Sequence, residues 1–304
     1  MNEYITVKNS QLSLYKDIPF YYLSKKGEGV LFKKAGVFLD SSQISKAKGM
    51  EIFILSKDKD DAGKELLVSL NMDLARKIAS KGLQTVRLVL SEIVEEVLTG
   101  SLDNSSQTLP ETIDILFRGY AKKSELFEAL TKISSNSHII IEHSINVLSL
   151  TMLYCCYHRI PDNAAKKISV AALLHDIGSI HIDKLILNSE QKLSKKEFEV
   201  FKTHTYKGHD TIKNSTQFDE IVARVALEHH EKLDGTGYPR GITDICFESQ
   251  LIGLIDSYEP LAYRDKSFRK AQNPYEVMKL LREEVVAKQF NKEIFKNLCE
   301  CLSK

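Results

Sequence analysis

The side chains best suited to chemistry are imidazoles and carboxylates, and they are unevenly placed. All nine histidines lie between His138 and His230, and the first 137 residues contain none. His175 and Asp176 end an apolar run, "ISVAALLHDIG". A buried carboxylate there is costly unless it is paired. His143 lies one predicted helix earlier, in "IEHSINV", and His204 follows in "KTHTYKG". His229 and His230 are adjacent in "LEHHEKLDGTGYPRG", and Asp256 interrupts the apolar "LIGLIDSYE". Each residue alone is ordinary. Together they fall on successive predicted helices, and one bundle can converge such side chains on a point. Imidazole and carboxylate donors suit iron, manganese or zinc, and no cysteine joins the set to make a thiolate site. Two such metals about 3.5–4 Å apart can activate water and clamp an in-line phosphoryl displacement.

The elements that would position these residues are helices at about 124–136, 138–157, 163–176, 194–213, 217–230, 249–263, 274–288 and 291–302. Ser194 with Glu197 fits a capping box, as does Thr216 with Asp219. Asn273, Pro274 and Glu276 fit N-cap, N1 and N3. Gly178 stands where a C-terminal cap would sit. Adjacent residues on a helix point about 100° apart, so His229 and His230 suit one site only at a helix end. The front half reads differently. Short β-branched and aromatic runs around 4–25, 27–39 and 50–57 suggest strands, with a short helix ending at Gly49. A helical pattern runs from 63 to about 98, and the polar stretch 99–110, "TGSLDNSSQTLP", reads as a loop near a domain boundary. The expected fold class is α+β: a small mixed α/β N-terminal domain with linking helices at 1–123, then an all-α bundle at 124–304.

Length and composition support this. The chain has 304 residues, 43% apolar and 27% charged, which suits about two domains with a full core. A net charge of +1 gives no reason to expect DNA, RNA or a membrane as partner. The start shows no signal-peptide pattern, and the apolar stretch 145–157 reads as too short and too polar to span a bilayer. Five cysteines without a CxxC pair suit reduced thiols in the cytoplasm.

The spacing resembles the HD-GYP family, a branch of the HD-domain metal-dependent phosphohydrolases. The residues that carry the resemblance are His143; "HDIG" at 175–178; His204 with Gly208; "HHEKLDGTGYP" at 229–239; and Asp256. It runs from about Ser124 to the C-terminus. It implies an HD-type bundle holding two divalent metal ions, iron before manganese or zinc. His143, His175, Asp176 and Asp256 would hold one metal, and His204, His229, His230 and Asp176 the other, with His175 and Asp176 as the catalytic pair. Some family members carry a third metal on a Glu one turn before the first His. That position is Ile139 here, and Glu142 points elsewhere, so a two-metal site is expected.

The implied activity is hydrolysis of cyclic di-GMP to linear pGpG or GMP in bacterial second-messenger signalling. The alternative is a nucleotide-binding or protein-interaction module of low turnover with an intact metal site. Gly237 and Tyr238 would border the substrate, and Arg264, Lys266 and Arg269 would supply positive charge. Asp234 would orient a ligand histidine from behind. The family's Lys after "HDIG" is Ser179 here, and Glu259 and Pro260 replace its usual "DA". The front domain would be regulatory, contacting other signalling proteins or a second copy of the chain.

Overall fold

The computed structural model describes residues 3–80, 82–133, 138–215, 217–265 and 270–303. The β-branched runs at the front form β1 (Tyr4–Val7), β2 (Phe20–Leu23), β3 (Gly29–Lys33) and, after the short helix α1 (Ser41–Ala47), β4 (Ile52–Leu55). They make one antiparallel sheet in the order β1-β4-β2-β3. Alternate residues of β4, Ile52 and Ile54, are buried, as a half-covered strand requires.

Helices follow: α2 (Lys59–Ala79), α3 (Leu83–Thr99), α4 (Leu102–Lys122), α5 (Leu126–Lys132), α6 (Ile139–Tyr157) and α7 (Asp162–Leu174). After them come α8 (Lys184–Leu187), α9 (Lys195–Lys202), α10 (His204–Lys213), α11 (Glu220–Glu228), α12 (Phe247–Tyr263), α13 (Pro274–Val286) and α14 (Lys292–Leu302). The expected capping box at Ser194 and N-cap at Asn273 are present. Asp219 itself caps α11 through the Ile221 amide; Thr216 lies outside the described residues.

Three expectations need correction. The stretch 99–110 is not a loop: Thr99 ends α3, and Leu102 already opens α4, with Pro110 inside the helix. Its polar residues bond inward. Ser105 and Thr108 hydroxyls donate to carbonyls one turn back, and the buried Thr112 hydroxyl meets Asn71 of α2 at 2.7 Å. Tertiary packing thus overrides a weak local propensity. The helix expected at 194–213 is two helices broken at Thr203. Gly178 does not cap a helix, because α7 already ends at Leu174.

The apolar segment is also longer than 145–157. It spans all of α6, which is long and apolar enough to cross a membrane, yet 72% of it is buried inside the bundle. Asn146, Ser149 and Thr151 are themselves buried there. α6 packs against α3, α5, α7, α12 and α14, and α4 packs against α7. A single hydrophobic core runs from Val7 to Leu298, so the helices on either side of residue 123 share it.

Two glycines set how closely the backbones around the histidines approach. A Cβ on Gly178 would lie 1.9 Å from the His204 carbonyl oxygen, and one on Gly253 would lie 2.1 Å from that of His229. Neither contact tolerates a methyl group. Gly253→Ala should therefore force α12 off the end of α11, costing about 1–3 kcal/mol. A urea-unfolding midpoint equal to wild type would show that the contact is not tight.

Candidate metal centre

Helix ends deliver most of the candidate ligands. His175 and Asp176 follow the last turn of α7, and His204 opens α10. His229 follows α11 with φ −61° and ψ −17°, and His230 comes next as the chain leaves the helix. His143 and Asp256 project from within α6 and α12. The structure brings all seven together. His143 Nε2 lies 3.2 Å from His175 Nε2 and 3.0 Å from Asp256 Oδ1. His204 Nε2 lies 3.2 Å, and His229 Nε2 3.7 Å, from Asp176 Oδ1. His230 Nδ1 lies 3.6 Å from Asp256 Oδ2.

Four of the five rings are held from behind. Nδ1 of His175 meets the Ala172 carbonyl at 2.8 Å, that of His204 the Phe201 carbonyl at 2.7 Å, and that of His229 the Val225 carbonyl at 3.0 Å. His143 Nδ1 meets the Glu259 carboxylate at 2.7 Å. A carbonyl can only accept, so Nδ1 carries the proton and the Nε2 lone pairs point inward. Lone pairs facing each other across about 3 Å repel unless a cation lies between them. Asp176 Oδ1 adds to this: it is buried without an aligned hydrogen bond. These residues fit divalent cations, in two groups that share Asp176: His143 and His175 on one side; His204, His229 and His230 on the other.

The electrostatics agree. Burial alone would raise the carboxyls of Asp176 and Asp256, but the surrounding imidazoles outweigh it and hold both well below the usual carboxylate range. Burial opposes charge on His143, yet Glu259 and Asp256 push it up to about 10. The site thus pulls positive charge between its carboxylates, and a metal ion would supply that charge. Bound divalent cations would polarise a phosphodiester and make water nucleophilic at neutral pH. The chain's own part is to fix the donors and bridge the two groups through Asp176, whose Oδ2 lies 3.9 Å from His143 Nε2. Glu142 turns away to pair with Arg87.

The "GYP" loop folds over this centre. The Tyr238 ring stacks on His230 at 4.6 Å, and Lys202 Nζ lies 5.9 Å above it. The Tyr238–Pro239 peptide is cis. Gly237 is required by backbone packing, since a Cβ there would lie 2.3 Å from the Lys232 nitrogen. Asp234 does not orient a histidine. Its carboxylate accepts from the Thr236 amide and hydroxyl, as short acidic side chains do in turns.

Residues not expected from the sequence do the supporting work. Glu231, buried, accepts from the amides of Arg240 and Ile242 and pins the loop. Glu259 holds His143; its spacing of three from Asp256 on one apolar helix is the signal that could have found it.

Beside the centre lies a cavity of about 580 Å³, lined among others by Lys192, Lys195, Phe198, Phe201 and Arg264. Phe201 is 4.8 Å from His204. Arg264 is thus one of the cavity's lining residues, whereas Lys266 and Arg269 lie outside the described residues. A cavity of about 640 Å³ between α4, α6 and α7 holds none of the candidate ligands.

Metal counting tests the arrangement. His143→Ala and His204→Ala should each lower content by about one ion per chain, while Asp176→Asn, at the shared position, should lower it by about two. Wild-type content in Asp176→Asn would rule out the shared position.

Comparison with known proteins follows the same line. An HD domain family model matches residues 121–294, more than half of the chain. Cyclic di-GMP phosphodiesterase PA4108 of Pseudomonas aeruginosa is 29% identical over 157 residues, covering 51% of this chain and 38% of its own length. Cyclic di-GMP phosphodiesterase PdeB of Borreliella burgdorferi is 29% identical over 177 residues, covering 57% and 45%. The 3'3'-cGAMP-specific phosphodiesterase 1 of Vibrio cholerae is 27% identical over 170 residues, covering 54% and 38%. The chain thus spans less than half the length of these relatives. In fold it is similar to Bd1817, an HDG"Y"P protein from Bdellovibrio bacteriovorus, with a TM-score of 0.67, 17% identity, and coverage of 99% of this chain and 100% of that one. From the matched segment, the chain belongs to the HD domain family, and its "HHEKLDGTGYP" motif resembles that of the HD-GYP branch.

Proposed function

We propose that the chain is a metal-dependent phosphodiesterase that opens cyclic di-GMP to linear pGpG. The observation that carries this reading is the inward set of histidine Nε2 atoms around Asp176 and Asp256, beside a cavity that is both aromatic and cationic. Phe198 and Phe201 offer faces for nucleobases, and Arg264, Lys192 and Lys195 offer charge for phosphates. Two of the relatives named above are cyclic di-GMP phosphodiesterases. Iron is the metal we assign, though the same donors accommodate manganese and zinc.

One observation favours a second reading, a nucleotide-binding module of low turnover. Ser179 is 1% exposed, and its hydroxyl has no hydrogen-bond partner, so the position after "HDIG" offers a substrate phosphate no cation. The likeness to a 3'3'-cGAMP-specific enzyme makes that nucleotide the natural competitor substrate.

Metal-loaded protein incubated with each cyclic dinucleotide, with products separated by chromatography, decides between them. Linear pGpG from cyclic di-GMP, lost in Asp176→Ala, is the expected outcome. Binding without any linear product would leave the module reading standing and remove the enzyme.

A further inference from the structure

The hydrogen bonds behind His143 do not stop at Glu259. Glu259 is 1% exposed and lies on α12. One of its oxygens accepts from His143 Nδ1 at 2.7 Å, and the other accepts from the Asn146 side-chain amide at 2.6 Å. Asn146 Oδ1 in turn accepts from Arg87 Nη1 at 3.0 Å. Arg87 is 1% exposed and belongs to α3. Its guanidinium also donates to the Leu130 carbonyl at 2.6 Å and to the Glu142 carbonyl at 3.3 Å, and pairs with the Glu142 carboxylate. This one side chain therefore joins α3, α5 and α6, and its chain of contacts ends on a candidate metal ligand.

Arg87 lies outside the segment matched by the family model, which begins at residue 121. A buried guanidinium keeps its charge and its planar fork, so it holds its acceptors in fixed geometry. Asn146 has no freedom left. With its oxygen taken by Arg87, its amide must face Glu259, and this leaves the second Glu259 oxygen for His143. Reversing the amide would set two oxygens against each other at 2.6 Å.

We infer that Arg87 is a positioning residue for the metal centre, through which the front segment sets the orientation of His143. The inference rests on the reading of the histidine cluster as a metal site. A displacement of α3 relative to α6 would loosen Asn146, then Glu259, then the His143 ring. The metal group holding His143 would weaken first. In the group holding His204, His229 and His230, the first two rings have their own carbonyl anchors, and it would not follow.

The test is Mn²⁺ binding by the full chain, read from the electron paramagnetic resonance of free Mn²⁺, together with urea unfolding of the metal-free protein. Arg87→Met should weaken one of two Mn²⁺ sites about tenfold or more, the range for losing a group that orients a ligand histidine, and spare the other. Arg87→Lys, which keeps the charge but not the fork, should weaken the same site by less. Asn146→Leu cuts the chain while leaving the Arg87–Glu142 pair in place, and it should reproduce the loss if Arg87→Met does not fold. In a Glu259→Gln background, Arg87→Met should add little. Leu126→Ala, a buried change on α5, should lower stability without touching either affinity. Equal weakening of both sites, or full additivity with Glu259→Gln, would make Arg87 merely structural and overturn the inference. So would unchanged Mn²⁺ affinity in Arg87→Met. Wild-type protein that binds no Mn²⁺, zinc or iron would instead sink the metal-site reading, and this inference with it.

Discussion

Every imidazole that turns Nε2 toward the centre must give its Nδ1 proton to something else. That requirement organises the second half of the chain. Three rings use the carbonyl of a residue three or four positions earlier: Ala172 for His175, Phe201 for His204 and Val225 for His229. These carbonyls lie in the last turns of helices, and the Val225 carbonyl takes the ring proton as a second bond beside the His229 amide. Placing a histidine just past a helix end therefore fixes the ring. His143 sits inside α6 and takes a side-chain acceptor from another helix instead. Glu259 fills that need and brings a buried negative charge with it. His143 itself, Arg264 at 3.9 Å and the Asn146 amide make that charge tolerable, and Arg87 holds Asn146.

The same requirement explains the glycines. Ligands delivered from the ends of α7, α10 and α11 can meet only if those ends nearly touch. Gly178 lies against the His204 carbonyl and Gly253 against that of His229, at separations no Cβ permits. Close backbone approach is what glycine allows at these points, with no need of an unusual φ. In the following loop the need is different. Gly235 and Gly241 have φ of +80° and +65°, which lets the chain reverse so that the Glu231 carboxylate can gather the Arg240 and Ile242 amides. Tyr238 is then laid on His230.

This separates what a sequence shows from what it hides. The ligand set was legible because imidazole and carboxylate are scarce in apolar helices, and each occurrence asks for a reason. The adjacent pair at His229 and His230 was legible because a helix end is the one place where neighbours can serve one site. The supporting carboxylate was not, since Asp234 and Glu259 both stand near ligands in sequence and only packing chooses between them. Asp234 finds a partner two residues away and stays in its turn, while Glu259 faces inward because it lies one turn from Asp256. The start of α4 was misread for a related reason. A run of Ser, Thr and Asn before a proline has turn chemistry, but here the hydroxyls bond to their own helix and Thr112 meets Asn71. Local propensity is a weak prior once such partners exist.

The apolar character of α6 follows from its position. Among the described residues it packs against α3, α5, α7, α12 and α14, and so has almost no solvent-facing side. A helix surrounded in this way must be apolar nearly all round, and its few polar residues cannot be solvated. Ser149 turns its hydroxyl back onto the Ile145 carbonyl, a local solution that needs no other element. His143 and Asn146 cannot do the same and must find partners across helices. They lie three residues apart, on one face, so a single carboxylate from α12 can meet both. The most membrane-like segment of the chain is thus also where the polar connection to the centre had to run. A helix with one wet face could have left those side chains to water; this one transmits them, through Glu259 on one side and Arg87 on the other.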